Sequence, residues 1–208
     1  MNNAFSFQRL SLLIRKQWAE NSRFYGLASL ALFGVMAMVF IFFWLMMDFP
    51  NYHEDQTAII YFVGLFLVGS IFSSTAFNAL GEKEKGQYWM SIPATHAEKL
   101  VTAILFSMVL FFVIYTAVFF LVKMLAVQYI KMQMASDPKI SFTRFLNKET
   151  LSDNNTKAVL GYLLLGFLAI QSIFLLGSIY FKKYAFIKTV IIVIAFFALY
   201  IVAVAKLF

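Results

Sequence analysis

The chain has 208 residues, 62% of them hydrophobic and 13% charged, with a mean hydropathy of +0.81. Soluble domains average about 45–50% apolar and about 25% charged residues, so an ordinary water-soluble fold is excluded and a membrane protein with several spans is expected. There is no cysteine, which excludes disulfide frameworks, thiolate metal sites and thiol nucleophiles. In such a chain the net charge of +7 points to basic residues meeting anionic lipid, with no nucleic-acid partner.

From the N-terminus, Ala4–Arg23 places Phe7, Leu10, Leu13, Ile14 and Trp18 at three- and four-residue spacing, with Arg9, Arg15, Lys16 and Glu20 on the other side. That pattern predicts an amphipathic helix lying in the membrane interface. Five apolar stretches follow, at Gly26–Met47, Thr57–Leu80, Leu100–Val122, Ala158–Phe181 and Thr189–Phe208. Each is near the ~20 residues a helix needs to cross a hydrocarbon core of ~30 Å. Lys206 is the one charge inside them, close enough to an end to snorkel. Pro50, Pro93 and Pro138 all fall between the stretches, as unbroken helices require. Two-residue alternation is absent, so no β-barrel is expected. The fold class predicted is all-α, a polytopic membrane protein with one domain over 1–208. The third helix is expected to run on past Val122 into the outer loop 123–157, because Met124, Leu125, Val127 and Ile130 keep helical spacing.

Basic residues set the expected orientation. With the N-terminus inside, Arg9, Arg15, Lys16, Arg23, Lys83, Lys85, Lys99, Lys182, Lys183 and Lys188 are all inner. The short outer loop Asp48–Gln56 holds none, while the long outer loop 123–157 holds six. A cytoplasmic N-terminus follows.

The spans carry no acid or base of the kind that marks an ion pathway or proton relay. Both histidines, His53 and His96, lie in loops, and no Gly-x-x-x-x-Gly-Lys-Ser/Thr phosphate loop occurs. The expectation is a chain that is not an enzyme, needs no cofactor or metal, and draws any energy from another subunit. Polar residues within the spans are small or neutral: Ser70, Ser74 and Asn78 in the second, Gln171 and Ser172 in the fourth. Two readings stand open for them, helix–helix packing or the lining of a substrate path.

The inner loop 81–99 is the most informative stretch. Pro93 drives Ile92 away from helical geometry, and Thr95 and Glu98 have capping-box spacing, so a sharp break and a firmly started helix are predicted. Tyr88, Trp89 and Met90 are large and apolar for a loop; they read as an interfacial anchor or as a partner-docking helix.

This loop resembles that of permease subunits of ABC transporters of the type-2 exporter family, especially small Bacteroidetes-like members. There a tyrosine-containing stretch is followed by Leu-Pro-Ala-Ser, two residues and Glu-Lys-Phe; the matching positions are Tyr88, Ile92, Pro93, Ala94, Thr95, Glu98, Lys99 and Leu100. A second similarity covers Gly177, Ser178, Tyr180, Phe181, Lys182, Lys183, Ala185, Phe186, Ile187, Lys188 and Thr189. The amphipathic N-terminal helix is similar to the family's elbow helix. The resemblance implies an exporter in a bacterial inner membrane, built from two permease chains, alike or different, and two separate ATPase subunits. It implies that loop 81–99 is the coupling element, with Tyr88, Trp89, Pro93 and Thr95 at the contact and Glu98 and Lys99 at its edge. The family usually has six spans; five here imply a five-span variant or a shortened chain. The alternative reading is a polytopic protein that transports nothing, such as an immunity factor or a scaffold of a membrane complex.

Overall fold

The computed structural model describes residues 5–46, 51–77, 83–136, 141–143, 154–181 and 183–207. Its elements are α1 (Phe7–Met46), β1 (Asn51–His53), α2 (Glu54–Thr75), α3 (Lys83–Ser91), α4 (His96–Ile104), a π-helical segment (Leu105–Leu110), α5 (Phe111–Ser136), β2 (Ser141–Thr143), α6 (Asn154–Tyr180) and α7 (Ala185–Leu207). The π segment joins α4 to α5 in one continuous rod. Among the described residues, five helices are thus long and apolar enough to cross a membrane: α1, α2, the α4–α5 rod, α6 and α7. The chain is an all-α multi-pass membrane protein, as its composition requires.

The first helix departs from expectation. A separate elbow over 4–23 and a span over 26–47 are instead one helix of 40 residues. At 1.5 Å per residue it is about 60 Å long, about twice the hydrocarbon thickness. No proline interrupts residues 7–46, and its two glycines, Gly26 and Gly34, at about 1 kcal/mol each relative to Ala, do not break it. The apolar stripe expected to rest in lipid packs partly on protein instead. Leu10 and Tyr25 are buried, and the Tyr25 ring stacks on Phe106 at 5.6 Å.

The second helix stops at Thr75 and turns at Ala76–Phe77, short of the expected Leu80; residues 78–82 lie outside the described residues. Ser74 and Thr75 donate their hydroxyls to the carbonyls of Ile71 and Phe72, competing with the helical ladder as short hydroxyl side chains do. The rod beyond Val122 is helical to Ser136, with Met124 and Leu125 exposed, in keeping with the expected stalk. An unforeseen feature lies at the end of the bundle remote from the α1 N-terminus. There β1 pairs in parallel with β2, Tyr52 opposite Phe142, joining the α1–α2 and α5–α6 connections.

Within the bundle α2 packs against α5, α6 and α7, while α1 packs against α4 and α5. The main core joins Leu32, Met36 and Phe40 of α1, Leu65 of α2, Phe111, Tyr115, Phe119 and Val122 of α5, and Phe167 of α6. Lipid tails are as apolar as leucine, so close packing and hydrogen bonds must hold these helices together. Tyr115 is wholly buried and donates its hydroxyl to the Tyr61 carbonyl at 2.9 Å. Gly64 makes that possible, since a methyl group there would overlap the Tyr115 hydroxyl. The Gly177–Thr189 contact does the same for the α6–α7 hairpin, whose turn places Tyr184 in the left-handed region at φ 55°. Most of α7 faces outward, with Ile191, Phe196 and Leu199 exposed to form part of an apolar perimeter.

Gly177→Val should therefore force α6 and α7 apart. The expected loss is about 1–3 kcal/mol of stability from overpacking, read as a lower thermal midpoint of the detergent-solubilised protein. Thr189→Ala in the same background should restore part of it. A Gly177→Val protein as stable as wild type would contradict the close approach.

Candidate functional site

The loop 81–99 folds as helix, break, helix. Lys83–Ser91 form α3, which ends as the chain enters Ile92-Pro93-Ala94. Thr95, extended at φ −69° and ψ 156°, is the N-cap of α4. Its hydroxyl accepts from the Glu98 N–H at 3.2 Å, and Glu98 Oε2 accepts from the Thr95 N–H at 2.8 Å. The anticipated capping box is thus formed.

Glu98 does more than cap its own helix. It is fully buried, and its Oε1 accepts from the backbone N–H of Ser6 at 2.8 Å and faces Arg9 Nη2 at 3.2 Å. Ser6 in turn supplies the carbonyl that closes the first turn of α1. One carboxylate therefore sits at the N-termini of two helices, α1 and α4, where unpaired N–H groups and both helix dipoles favour negative charge.

Lys99 points the other way and closes the opposite end of α3. Its Nζ donates to the carbonyls of Trp89 at 3.0 Å and Met90 at 3.4 Å, satisfying last-turn carbonyls that the helix leaves open. The ammonium also lies 4.8 Å from the centre of the Trp89 ring, a cation–π contact. The edge of that ring meets Phe77, just past α2, at 5.9 Å. Tyr88, the next residue back, reaches α1: its hydroxyl donates to Glu20 Oε1 at 3.2 Å and its ring carries Lys16 Nζ at 4.4 Å. Lys16 and Glu20 pair at 3.8 Å along α1.

Of the residues singled out in this loop, Tyr88, Trp89, Glu98 and Lys99 thus come together in one interlock of α1, α3 and α4. Thr95 starts α4, and Pro93 stands exposed at the break. Trp89 turns inward, whereas Tyr88 and Met90 present more than half their surface outward. The α1 side, Ser6, Arg9, Lys16 and Glu20, was not anticipated as part of the site. Only the four-residue spacing of Lys16 and Glu20 hints that they act together.

The polar residues of the spans sit elsewhere. Ser70 and Ser172 donate their hydroxyls to carbonyls one turn back, Phe66 and Leu168, as Ser74 does to Ile71. Gln171 is fully buried and enters α2. Oriented by its neighbours, its amide nitrogen donates to the Gly69 carbonyl at 2.8 Å and to the Ser73 hydroxyl, and its oxygen accepts from the Ser70 N–H at 3.2 Å. A side chain at Gly69 would collide with this amide. Ser172 lies on the exposed side of α6, and Asn78 lies outside the described residues. Among the described residues, no three His, Asp or Glu side chains gather as a metal site would need.

No protein-family model, curated protein or solved structure matches this chain.

Two outcomes test this geometry. Glu98→Ala should speed amide hydrogen exchange in the first turns of both α1 and α4 while leaving α6 and α7 unchanged. Exchange that rises in α4 alone would show that Glu98 does not hold α1. Gln171→Leu removes interhelical hydrogen bonds each worth about 0.6 kcal/mol on average in membranes, and at most about 1.7. It should lower the thermal midpoint modestly and leave exchange at the Glu98 end unaltered.

Proposed function

We propose that this chain is the permease subunit of an ABC exporter, with α3 and the break at Pro93 as the element that receives an ATPase subunit. The observation carrying this reading is the mounting of α3. It is a short helix at one end of the bundle, tied to α1 through Tyr88, to the end of α2 through Trp89 and Phe77, and to α4 through Lys99. It still presents Tyr88, Met90 and Pro93 outward. A lever that passes motion from a soluble partner to spanning helices needs both properties: an accessible contact face and stiff links to several helices. The similarity of loop 81–99 to the coupling loops of type-2 exporter permeases supports the same role.

On this reading two copies, or this chain and a related one, form the pathway in a bacterial inner membrane, with α3 and the N-terminus on the cytoplasmic side. Two ATPase subunits dock beneath and supply the energy. The outward aromatic and thioether side chains of Tyr88 and Met90 suit such a contact, since aromatic residues and methionine are enriched at protein interfaces.

The test is co-expression with candidate ATPase subunits of ABC exporters, followed by reconstitution. The expected result is co-purification and ATP hydrolysis that rises when the permease is present. Trp89→Ala should lower that stimulation about tenfold, within the range of ordinary coupling energies, with the complex still assembled. Failure to bind or stimulate any ATPase would overturn the reading. A cellular function that survives Trp89→Ala and Pro93→Ala would favour a scaffold or immunity role instead.

A further inference from the structure

A cavity of about 410 Å³ opens between the N-terminal half of α1, the end of α2, α3, and the α4–π segment. Its size falls within the ~300–1,000 Å³ of ordinary small-molecule sites. Its chemistry is two-sided. At one side Lys16 and Lys99 rest on the adjacent rings of Tyr88 and Trp89. The lining also carries the rings of Phe24, Phe72 and Phe106, with Phe24 largely exposed, among smaller polar groups such as Gln17, Asn21 and Thr102.

The two lysines are not equally satisfied. Lys16 is matched by Glu20, which also lines the cavity and is 45% exposed. Lys99 is 4% exposed, and among the described residues its ammonium meets only two carbonyls and a ring, with no carboxylate in salt-bridge range. Glu98, beside it in sequence, is turned away onto Ser6 and Arg9. A buried cation without a counter-charge is costly, and this one borders an open cavity with a second ammonium nearby.

We propose that this cavity binds an anionic amphiphile, a lipid whose phosphate lies between Lys16 and Lys99 and whose acyl chain lies along Phe24, Phe72 and Phe106. The aromatic walls would give a free inorganic anion no contact, and the cationic side would give a neutral chain no head-group partner, so the two-part ligand suits both. Such a lipid would bridge α1 and α3 at the place where Tyr88 already joins them. The proposal does not depend on transport: a lipid held here would belong to the folded chain with or without an ATPase.

The test is native mass spectrometry of the purified full chain, titrated separately with phosphatidylglycerol, phosphatidylcholine and inorganic phosphate. Phosphatidylglycerol should bind about five-fold more tightly than phosphatidylcholine, the factor expected for one lysine–phosphate attraction at a membrane surface. Lys16→Gln should erase most of that preference. Thr75→Trp, at an exposed cavity-lining position on the last turn of α2, should weaken both lipids by filling the space. Equal affinity for the two lipids would overturn the proposal. So would a Thr75→Trp protein of wild-type thermal stability with undiminished binding, which would place the lipid elsewhere. Displacement of phosphatidylglycerol by millimolar inorganic phosphate would show an anion site without a place for the chain, and would also overturn it.

Discussion

The architecture at one end of this bundle rests on a carboxylate shared by two helices. Glu98 closes the capping box of α4 and also receives the Ser6 N–H, 92 residues earlier in the chain, and Arg9 of α1. Buried carboxylates are expensive unless every lone pair has a donor; here two backbone N–H groups, a guanidinium and two helix dipoles converge on one side chain. The neighbouring Lys99 performs the complementary task, placing positive charge at the C-terminal end of α3. Consecutive residues of opposite sign thus serve opposite helix poles, and three elements are joined through one turn of α4. The position of α3, and of the cavity beside it, follows from that junction.

Away from this junction the helices are held by a different means. Glycines recess the surface of one helix so that a polar or aromatic group of another can enter. Tyr115 fits against Gly64, Gln171 against Gly69, and Thr189 against Gly177. Each intruding group also finds a hydrogen-bond partner, Tyr115 on the Tyr61 carbonyl, Gln171 on α2 and Thr189 on the Ala185 carbonyl. This is how a bundle gains specificity where the hydrophobic effect does not distinguish protein from solvent. It also explains why neutral polar side chains occupy charge-free spans: those of Gln171, Ser73 and Ser70 lie where α2 and α6 touch.

How much of this was legible in the sequence depends on the range of the interaction. Spans are read from local hydropathy, and all five lie close to where the apolar stretches put them. The start of α4 was also readable, because a capping box is set by residues three apart. The second duty of Glu98 was not, since nothing near Arg9 announces a carboxylate 89 residues away. The same limit hid the continuity of α1. Amphipathic spacing over 4–23 describes a helix with one apolar face equally well whether that face meets lipid or protein, and only tertiary packing of Tyr25 against Phe106 decides it. The π segment at Leu105–Leu110 has no compositional mark at all: Leu, Phe, Ser, Met and Val are ordinary span residues.

The small β1–β2 pair has a mechanical meaning for the rest of the chain. Strand β1 runs directly into α2, and β2 lies between α5 and α6, so three residues of ladder fasten the central helix to the connection that follows the longest rod. The chain between the two strands becomes a closed loop containing α2, α3, α4 and α5. Displacing the start of α2 from residues 141–143 therefore requires breaking that ladder.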